Sequence, residues 1–557
     1  MLRQRSSTCG AGLLPLLLLG LAVSGCGSPP RPDSLPRDQR QITPTLIAGG
    51  SAVHGANGIL FDESDQLHVA CVLGDEILVI DPETGSLLST MGANQEVLSP
   101  DDVAFGPDGS LYWTAFSSGE VVRLAPDGTR HAQTVAPGAN AITFSHDGRR
   151  LFVALDFIGD ALYELDPELI DPPRLIAENL GFLNAMGWGP DGFLYGPIIK
   201  TGEIMRINVD TGETASVAGG FTAPVAVKCD AEGRLYVADH ATGKVSWIDP
   251  GTGYKAEIAQ LQPGLDNLAL DSRGRLFVSS AHDGSIHEVL PDGALRTVCA
   301  GGMIAPGGVA VLPGPDGETV FVADVWTLRE FDPSTGDELS VERHLLGMDG
   351  CITAPFTVSG DGTNLIVSSW LMKGTVQVFD PETREVLQEI GGFESPLNAI
   401  RFQGDIVVAD LESRSVIRVD SHDPAKRKPI ARGLGVPVGL AATDDDLWVS
   451  DCATGMVLKI VADGRQLDRP IPVAKGLTYP EGLAVDLDGS LLVIEGEARR
   501  LTRIDPATGG KTTMADGLDI CLQGDHPTWV FNGVAVGPSG TIYVTCDVTN
   551  SLYALKP

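Results

Sequence analysis

The chain has 557 residues, 43% of them hydrophobic and 20% charged, and its 73 acidic against 39 basic side chains give a formal charge of −34. So acidic a body repels phosphate backbones and argues against nucleic acid, while it attracts cations and cationic partners. The same charge also solubilises a large exposed β-surface, so by itself it names no ligand.

In chain order, Arg3 and Arg5 precede a leucine-rich stretch from Leu13 to Val23 that is too short to cross a bilayer and has the pattern of a secretory signal. Val23-Ser-Gly-Cys26 resembles a bacterial lipobox. That resemblance implies cleavage before Cys26 and a lipid on its sulfur. Gly27 and Ser28, in place of an Asp, point to the outer membrane, on its periplasmic face or at the surface. An ordinary cleaved signal ending nearby is the alternative. Residues 26–44 carry Pro29, Pro30, Pro32, Pro36 and Pro44 and read as an extended tether.

From residue 45 onward one unit recurs twelve times. Each unit opens on a small or polar residue before an apolar strand and passes a Gly/Asp turn. It continues into a strand like Leu235-Tyr-Val-Ala-Asp239 and then a third like Gly374-Thr-Val-Gln-Val-Phe-Asp380. These segments are short and rich in β-branched and aromatic residues, and none sustains a helical period. Asp-Gly pairs at Pro107-Asp-Gly109, Pro190-Asp-Gly192 and Asp488-Gly489 supply tight hairpin turns. First strands open at Asn57, Asp101, Asn140, Asn184, Val225, Asp266, Gly307, Ala354, Asn398, Val438, Glu481 and Asn532. That spacing, about 40–50 residues, is the length of one four-stranded propeller blade.

The predicted fold is therefore all-β: two six-bladed β-propellers in tandem, spanning 45–292 and 293–557, with one twelve-bladed ring as the alternative. The ends of the chain suggest how the rings seal. Thr45-Leu-Ile-Ala-Gly-Gly50 resembles the fourth strand Thr297-Val-Cys-Ala-Gly-Gly302, and Ser551-Leu-Tyr-Ala-Leu555 is a third strand with nothing after it. The expectation is that 45–50 completes the sixth blade and 295–301 the twelfth. Closure of this kind removes exposed sheet edges.

Cys71 and Cys229 fall within strands and read as small buried residues. Cys351 and Cys521 sit in the two longest inter-blade connections, where an oxidising compartment permits a disulfide.

In a propeller the residues opening the first strands ring the channel mouth. In the first ring Asn57, Asp101, Asn140, Asn184 and Asp266 offer oxygen donors of the kind that suit Ca²⁺ or another hard divalent cation; Val225 is the exception. The second ring offers Asn398, Glu481 and Asn532 among Gly307, Ala354 and Val438. Each of these is equally able to satisfy turn backbone, as Asn and Asp before strands commonly do.

The Leu-Tyr-Val-Ala-Asp239 strand with Gly243-Lys-Val-Ser-Trp-Ile-Asp249 resembles NHL-repeat propellers, and Pro480-Glu-Gly-Leu483 and Phe531-Asn-Gly-Val534 resemble motifs of the SMP-30/gluconolactonase family of six-bladed lactone hydrolases. That resemblance implies Glu481 and Asn532 as ligands of a divalent cation, with Asn398 a third. It also implies an Asp acting as ligand and base, which no opening residue of the second ring supplies; Asp101, after Pro100, could fill that role in the first ring. His240 and His282, in second-to-third-strand loops of neighbouring blades, form a candidate acid and base pair, for which lyases of the virginiamycin B type offer a loose precedent. Asp239, Asp324, Asp410, Asp451 and Glu495 recur at second-strand ends, and the recurrence favours a structural role. The sequence has no Gly-x-Ser-x-Gly elbow, phosphate-binding Walker loop or His-Glu-x-x-His.

Two functions follow. One is a lipid-anchored binding module that presents its loop faces to an envelope protein, a glycan or a small ligand. The other is a metal-dependent lactonase or esterase, in which a cation polarises the carbonyl and a carboxylate activates water.

Overall fold

The computed structural model describes residues 41–314, 317–348, 350–522 and 531–556. The signal segment, Cys26 and most of the tether lie outside the described residues.

Among the described residues, forty-eight strands form twelve four-stranded antiparallel sheets, one for each repeat. Each sheet is a blade: a short first strand at the axis, a second strand that is almost wholly buried, then a third and an increasingly exposed fourth. In blade 5, Leu235–Asp239 is buried between its neighbours, whereas Lys255–Gln260 at the rim alternates between exposed and covered. The Asp-Gly turns form as the sequence predicts. Gly109 takes a φ of 80°, and the Asp108 carboxylate accepts the Ser110 N–H at 3.0 Å.

The blades form two closed rings. In the first, Ile59–Phe61 of blade 1 packs against Pro100–Phe105 of blade 2 and against Leu265–Leu270 of blade 6. In the second, Val309–Gly314 of blade 7 packs against Thr357–Gly360 of blade 8 and against Val534–Val536 of blade 12. Blades are tied together near the axis by hydroxyls on second strands. Thr114 donates to the Asn140 carbonyl at 2.6 Å, Ser279 to Asn57 at 2.8 Å and Ser450 to Glu481 at 2.6 Å, each reaching the next blade's first strand. A buried hydroxyl that links two strands removes an otherwise unpaired carbonyl.

The strand pairing corrects the expected seams. Thr45–Ala48 pairs with Ser551–Leu555 and completes blade 12, not blade 6. Leu295–Cys299 pairs with Ile286–Val289 and completes blade 6, not blade 12. The reason is local. Pro291-Asp-Gly293, with Gly293 at φ 83°, turns the chain straight back onto its own third strand, and so short a loop closes at little entropic cost. Among the described residues no strand precedes Thr45–Ala48, and it pairs along the free edge of Ser551–Leu555. The first ring, from about residue 51 to 300, is thus an insertion between the fourth strand of blade 12 and the first strand of blade 7.

The chain crosses between the rings twice, at Gly49-Gly50 and Gly301-Gly302, and the crossings run side by side. Ser51 N–H donates to the Met303 carbonyl at 2.8 Å. A Cβ on Gly50 would stand 2.2 Å from the Asn550 carbonyl oxygen, and one on Gly302 2.8 Å from the Gly50 carbonyl carbon. Beside the crossings Leu73 from a blade 1 turn packs with Ile304, Ala305 and Val325, so the turn faces of the two rings meet there.

Candidate functional site: two unlike channel mouths

The first ring gathers carboxylates. Asp101 opens the first strand of blade 2, Asp266 lies at the start of the first strand of blade 6, and Asp156 follows the second strand of blade 3. Asp101 and Asp156 are buried and Asp266 is partly covered. Burial, then the charges of Asp266, Asp156 and Asp102, push the Asp101 carboxyl well above the ordinary range. Burial with Asp102 nearby pushes Asp266 up to about 7. Asp156 also rises through burial, although Asn184 donates to its Oδ2 at 2.5 Å and Asn140 bonds to it as well. Its Oδ1 is fully buried and has no partner. No basic side chain is among the groups acting on these three acids.

Asp102, one residue away, shows what a satisfied acid in this ring looks like. It accepts from Val103 N–H at 3.0 Å, Ile142 N–H at 3.1 Å and Asn267 Nδ2 at 3.2 Å, and Lys228 offsets the cost of its burial. The carboxamides predicted as ligands are partly occupied. Asn184 Oδ1 accepts the Ala185 N–H at 2.6 Å, and Asn57 Oδ1 accepts the Val72 N–H at 3.5 Å. Among the described residues, no three His, Cys, Asp or Glu side chains stand close enough to hold one metal ion. The donor set is chemically right for a cation but wider than the shell of a bare one.

The second mouth is largely apolar. Phe356, Leu397, Val438, Cys452 and Phe531 pack as one buried cluster, with half-buried Trp370, Leu411, Val436 and Tyr479 against it. On one side stands the pair implied by the SMP-30 resemblance. Glu481 Oε2 accepts both the backbone N–H and the side-chain Nδ2 of Asn532, each at 2.9 Å. Burial, with Asp547 nearby, pushes Glu481 up to about 8. Asn532 Oδ1 in turn accepts the Asp547 N–H at 3.4 Å. Asn532 thus has its amide on Glu481 and its oxygen beside backbone. Asn398, buried in blade 9 with an unpartnered Oδ1, takes no part in these bonds.

His240 and His282 lie on the turn face as expected, but that face is covered there by the second ring. Their rings meet edge to face at 4.7 Å, and Trp326 and His344 of blade 7 continue the stack. Both histidines are buried, and His240 Nδ1 is bonded to the Leu265 carbonyl at 2.9 Å. Gly264, at φ 108°, makes room, since a Cβ there would come within 2.5 Å of His282. No disulfide joins Cys351 to Cys521. The recurrent acids do cap backbone: Asp451 accepts from Gly435 at 2.7 Å and Val436 at 3.0 Å, and Asp239 from Thr222 at 2.7 Å.

Reading only the first-strand openings misses Asp156 and Asp547. Both occupy the residue just after the second strand, a register that in the first ring reads Val72, Phe116, Asp156, Ile199, His240, Ala281. In the second ring it reads Val325, Trp370, Leu411, Cys452, Gly496, Asp547. These side chains share the mouth with the first-strand openings, and the fixed repeat makes the register legible.

No known protein family matches the chain by sequence, and no curated protein does. Solved structures share the fold only. Virginiamycin B lyase of Staphylococcus aureus is 14% identical with a TM-score of 0.37, covering 51% of this chain and 96% of its own. A streptogramin B lyase is 16% identical with a TM-score of 0.38, covering 52% and 96%. A structure named as a candidate gluconolactonase is 14% identical with a TM-score of 0.36, covering 46% and 93%. The chain is similar to β-propellers of that broad kind.

Proposed function

We propose that this chain is a lipid-anchored, extracytoplasmic binding module whose first ring receives a positively charged ligand at its mouth. One arrangement carries the reading: Asp101, Asp156 and Asp266 open or follow strands at one channel mouth, where Asp266 and Asp156 act on Asp101 and Asp266 acts on Asp156, each raising proton affinity. Adjacent Asp102 instead accepts from three donors and is offset by Lys228. Like charges held this way are costly unless protons or a cation neutralise them. The width of the donor set favours a hydrated divalent cation such as Ca²⁺, or an ammonium group, over a directly ligated ion. Asp101, Asp156 and Asp266 would hold it, with Asn57 and Asn140 at the edge. The apolar second mouth suits a structural role, and the broad turn faces are left to a protein, a glycan or a small molecule.

Calorimetric titration of the mature protein with Ca²⁺, Mg²⁺ and a primary diamine tests the reading. Saturable binding by one of them, weakened at least tenfold in Asp101→Asn plus Asp266→Asn, supports it; no binding of any cation at pH 8 overturns it. A second reading, hydrolysis of a lactone or ester, is favoured by Glu481. A buried carboxyl that keeps its proton up to about pH 8 can act as a general acid. A lactone screen in which Glu481→Gln abolishes turnover would establish that reading.

A further inference from the structure

The twelve fourth strands end their sheets and form the rims of the two rings. On ten of them charge is sparse and balanced, with six basic and seven acidic side chains between them. The remaining two differ. Arg427–Arg432 of blade 9 and Arg465–Lys475 of blade 10 carry Arg427, Lys428, Arg432, Arg465, Arg469 and Lys475 against one acid, Asp468. All six cations are exposed, and the acids around them pair elsewhere: Asp423 with Lys426 at 3.2 Å, Asp405 with Arg418 at 2.7 Å and Asp446 with Lys459 at 2.7 Å. Arg427 spends its N–H groups on the Gly391 and Gly392 carbonyls at 2.6 and 3.2 Å, which leaves its charge uncompensated.

Lysine and proline on an outer strand keep a sheet edge from pairing with another chain, and Pro429, Pro470 and Pro472 serve that end here. Edge protection does not account for the charge, because ten other rims go without it. Between Arg469 and Lys475 stands Ile471, 52% exposed. The two strands make one surface, since Lys428 Nζ donates to Gln466 Oε1 at 2.7 Å and Gln466 Nε2 to the Ile430 carbonyl at 2.9 Å.

This surface reaches toward the place where the chain enters the body. Lys511, which opens the fourth strand of blade 11, donates to the Lys475 carbonyl at 2.7 Å. On that same strand the Met514 carbonyl accepts the Ile42 N–H at 2.7 Å, and Ile42 packs in the core of blades 11 and 12. The cationic rim therefore lies one blade from Ile42. Fifteen residues separate Cys26 from Gln41, at most about 50 Å of extended chain, so a lipid on Cys26 would hold this edge close to its bilayer.

We propose that the rim of blades 9 and 10 is the face on which this protein rests against an anionic phospholipid leaflet, its lysines and arginines among the headgroup phosphates and Ile471 at the hydrocarbon boundary.

The proposal goes beyond the cation reading, and only its tether argument rests on the lipid at Cys26. Charges beyond a Debye length of about 8–10 Å are screened, so at contact the local sign decides although the whole chain carries −34. An anionic sheet is drawn to this rim and repelled by the acidic remainder, which fixes one orientation. Six cations spread along two neighbouring strands suit laterally mobile headgroups more than one small anion. The exposed Ile471 and the nearby entry of the tether favour a leaflet over an acidic protein.

Vesicle binding tests this with the chain from residue 26 carrying Cys26→Ser, so that no lipid contributes. Binding to phosphatidylglycerol-rich vesicles at low salt is expected, weaker by about tenfold or more on phosphatidylcholine and lost in about 0.5 M salt. Each Lys or Arg near such a surface strengthens binding by about fivefold. Arg465→Gln with Arg469→Gln and Lys475→Gln should thus weaken it by about a hundredfold with thermal unfolding unchanged. Arg130→Gln with Arg174→Gln and Lys255→Gln makes the same change of net charge on fourth strands of the first ring, and should weaken it by less than about threefold. No binding of the Cys26→Ser chain to phosphatidylglycerol at low salt, equal binding to neutral vesicles, or equal losses in the two triple variants overturns the proposal. So does binding to polyglutamate as tight as to vesicles, which would make the occupant an acidic protein. The intact mass of the natively exported chain reports the lipid on Cys26 separately, so failure of the rim and failure of the anchor are told apart.

Discussion

The first ring closes through side-chain contacts between two complete blades, and the second through main-chain pairing inside one blade. Between blades 1 and 6 the seam consists of Ser279 donating to the Asn57 carbonyl, Arg273 and Arg275 pairing with Glu83 at 2.7 and 2.8 Å, Arg296 donating to the Pro82 carbonyl at 2.9 Å, and Phe61 against Phe277 at 4.8 Å. In the second ring the seam lies inside blade 12, where Thr45 pairs opposite Ala554 and Ala48 opposite Leu552. The difference follows from where the chain is tethered. Both ends of the first ring are held by the paired crossings, so surface contacts suffice. Val534–Val536, Ile542–Cys546 and Ser551–Leu555 give three strands of blade 12, and without Thr45–Ala48 the edge of Ser551–Leu555 would stand open.

Removing residues 41–48 attacks the main-chain seam and has the largest expected effect. The second ring should lose its cooperative transition and aggregate through the bared Ser551–Leu555 edge, while the first ring survives as a protease-resistant fragment. Limited proteolysis with mass spectrometry reads this out, and a peptide covering 41–50 added in trans should restore protection by strand addition.

The crossing itself comes next. Gly302→Ala forces a Cβ to within 2.8 Å of the Gly50 carbonyl carbon and should cost about 1–3 kcal/mol in denaturant unfolding. Gly49→Ala, with nothing within 4 Å of its Cβ, is the matched control and should have little effect.

A smaller effect separates the two mouths by pH. Acids whose folded proton affinity is raised stabilise the folded form at low pH and lose that contribution as pH rises through the folded value, about 7 for Asp266. Cation-free protein should therefore melt at a lower temperature at pH 8 than at pH 6, and Asp266→Asn should flatten that dependence.

The smallest change is expected from Glu481→Gln. Below about pH 8 the native side chain carries a proton, and a Gln carboxamide oxygen can still accept from Asn532. Thermal unfolding at pH 7 should move by less than about 1 kcal/mol, the scale of one neutral hydrogen bond.

Twelve blades and two rings were legible because strand periodicity and Asp-Gly turns are local signals repeated at a fixed length. The seams were not, because Thr45-Leu-Ile-Ala-Gly-Gly50 and Thr297-Val-Cys-Ala-Gly-Gly302 follow one pattern, and only the hairpin at Pro291-Asp-Gly293 distinguishes a strand that folds back from one that must travel. The site was half legible. Asp101 and Asp266 follow from first-strand register, whereas Asp156 lies in a second register that the same repeat encodes. The covering of His240 and His282 could not be read from their positions, since it depends on Trp326 and His344 arriving from the other ring.

Proton release on cation binding tests the central claim most directly, measured by calorimetry in buffers of different ionisation enthalpy. If a cation enters among Asp101, Asp156 and Asp266, binding at pH 6.5 should expel protons, with less released by pH 8.5 and less again in Asp266→Asn. Binding that releases no protons at pH 6.5, or releases them equally in the Asp266→Asn variant, would place the cation elsewhere and contradict the account.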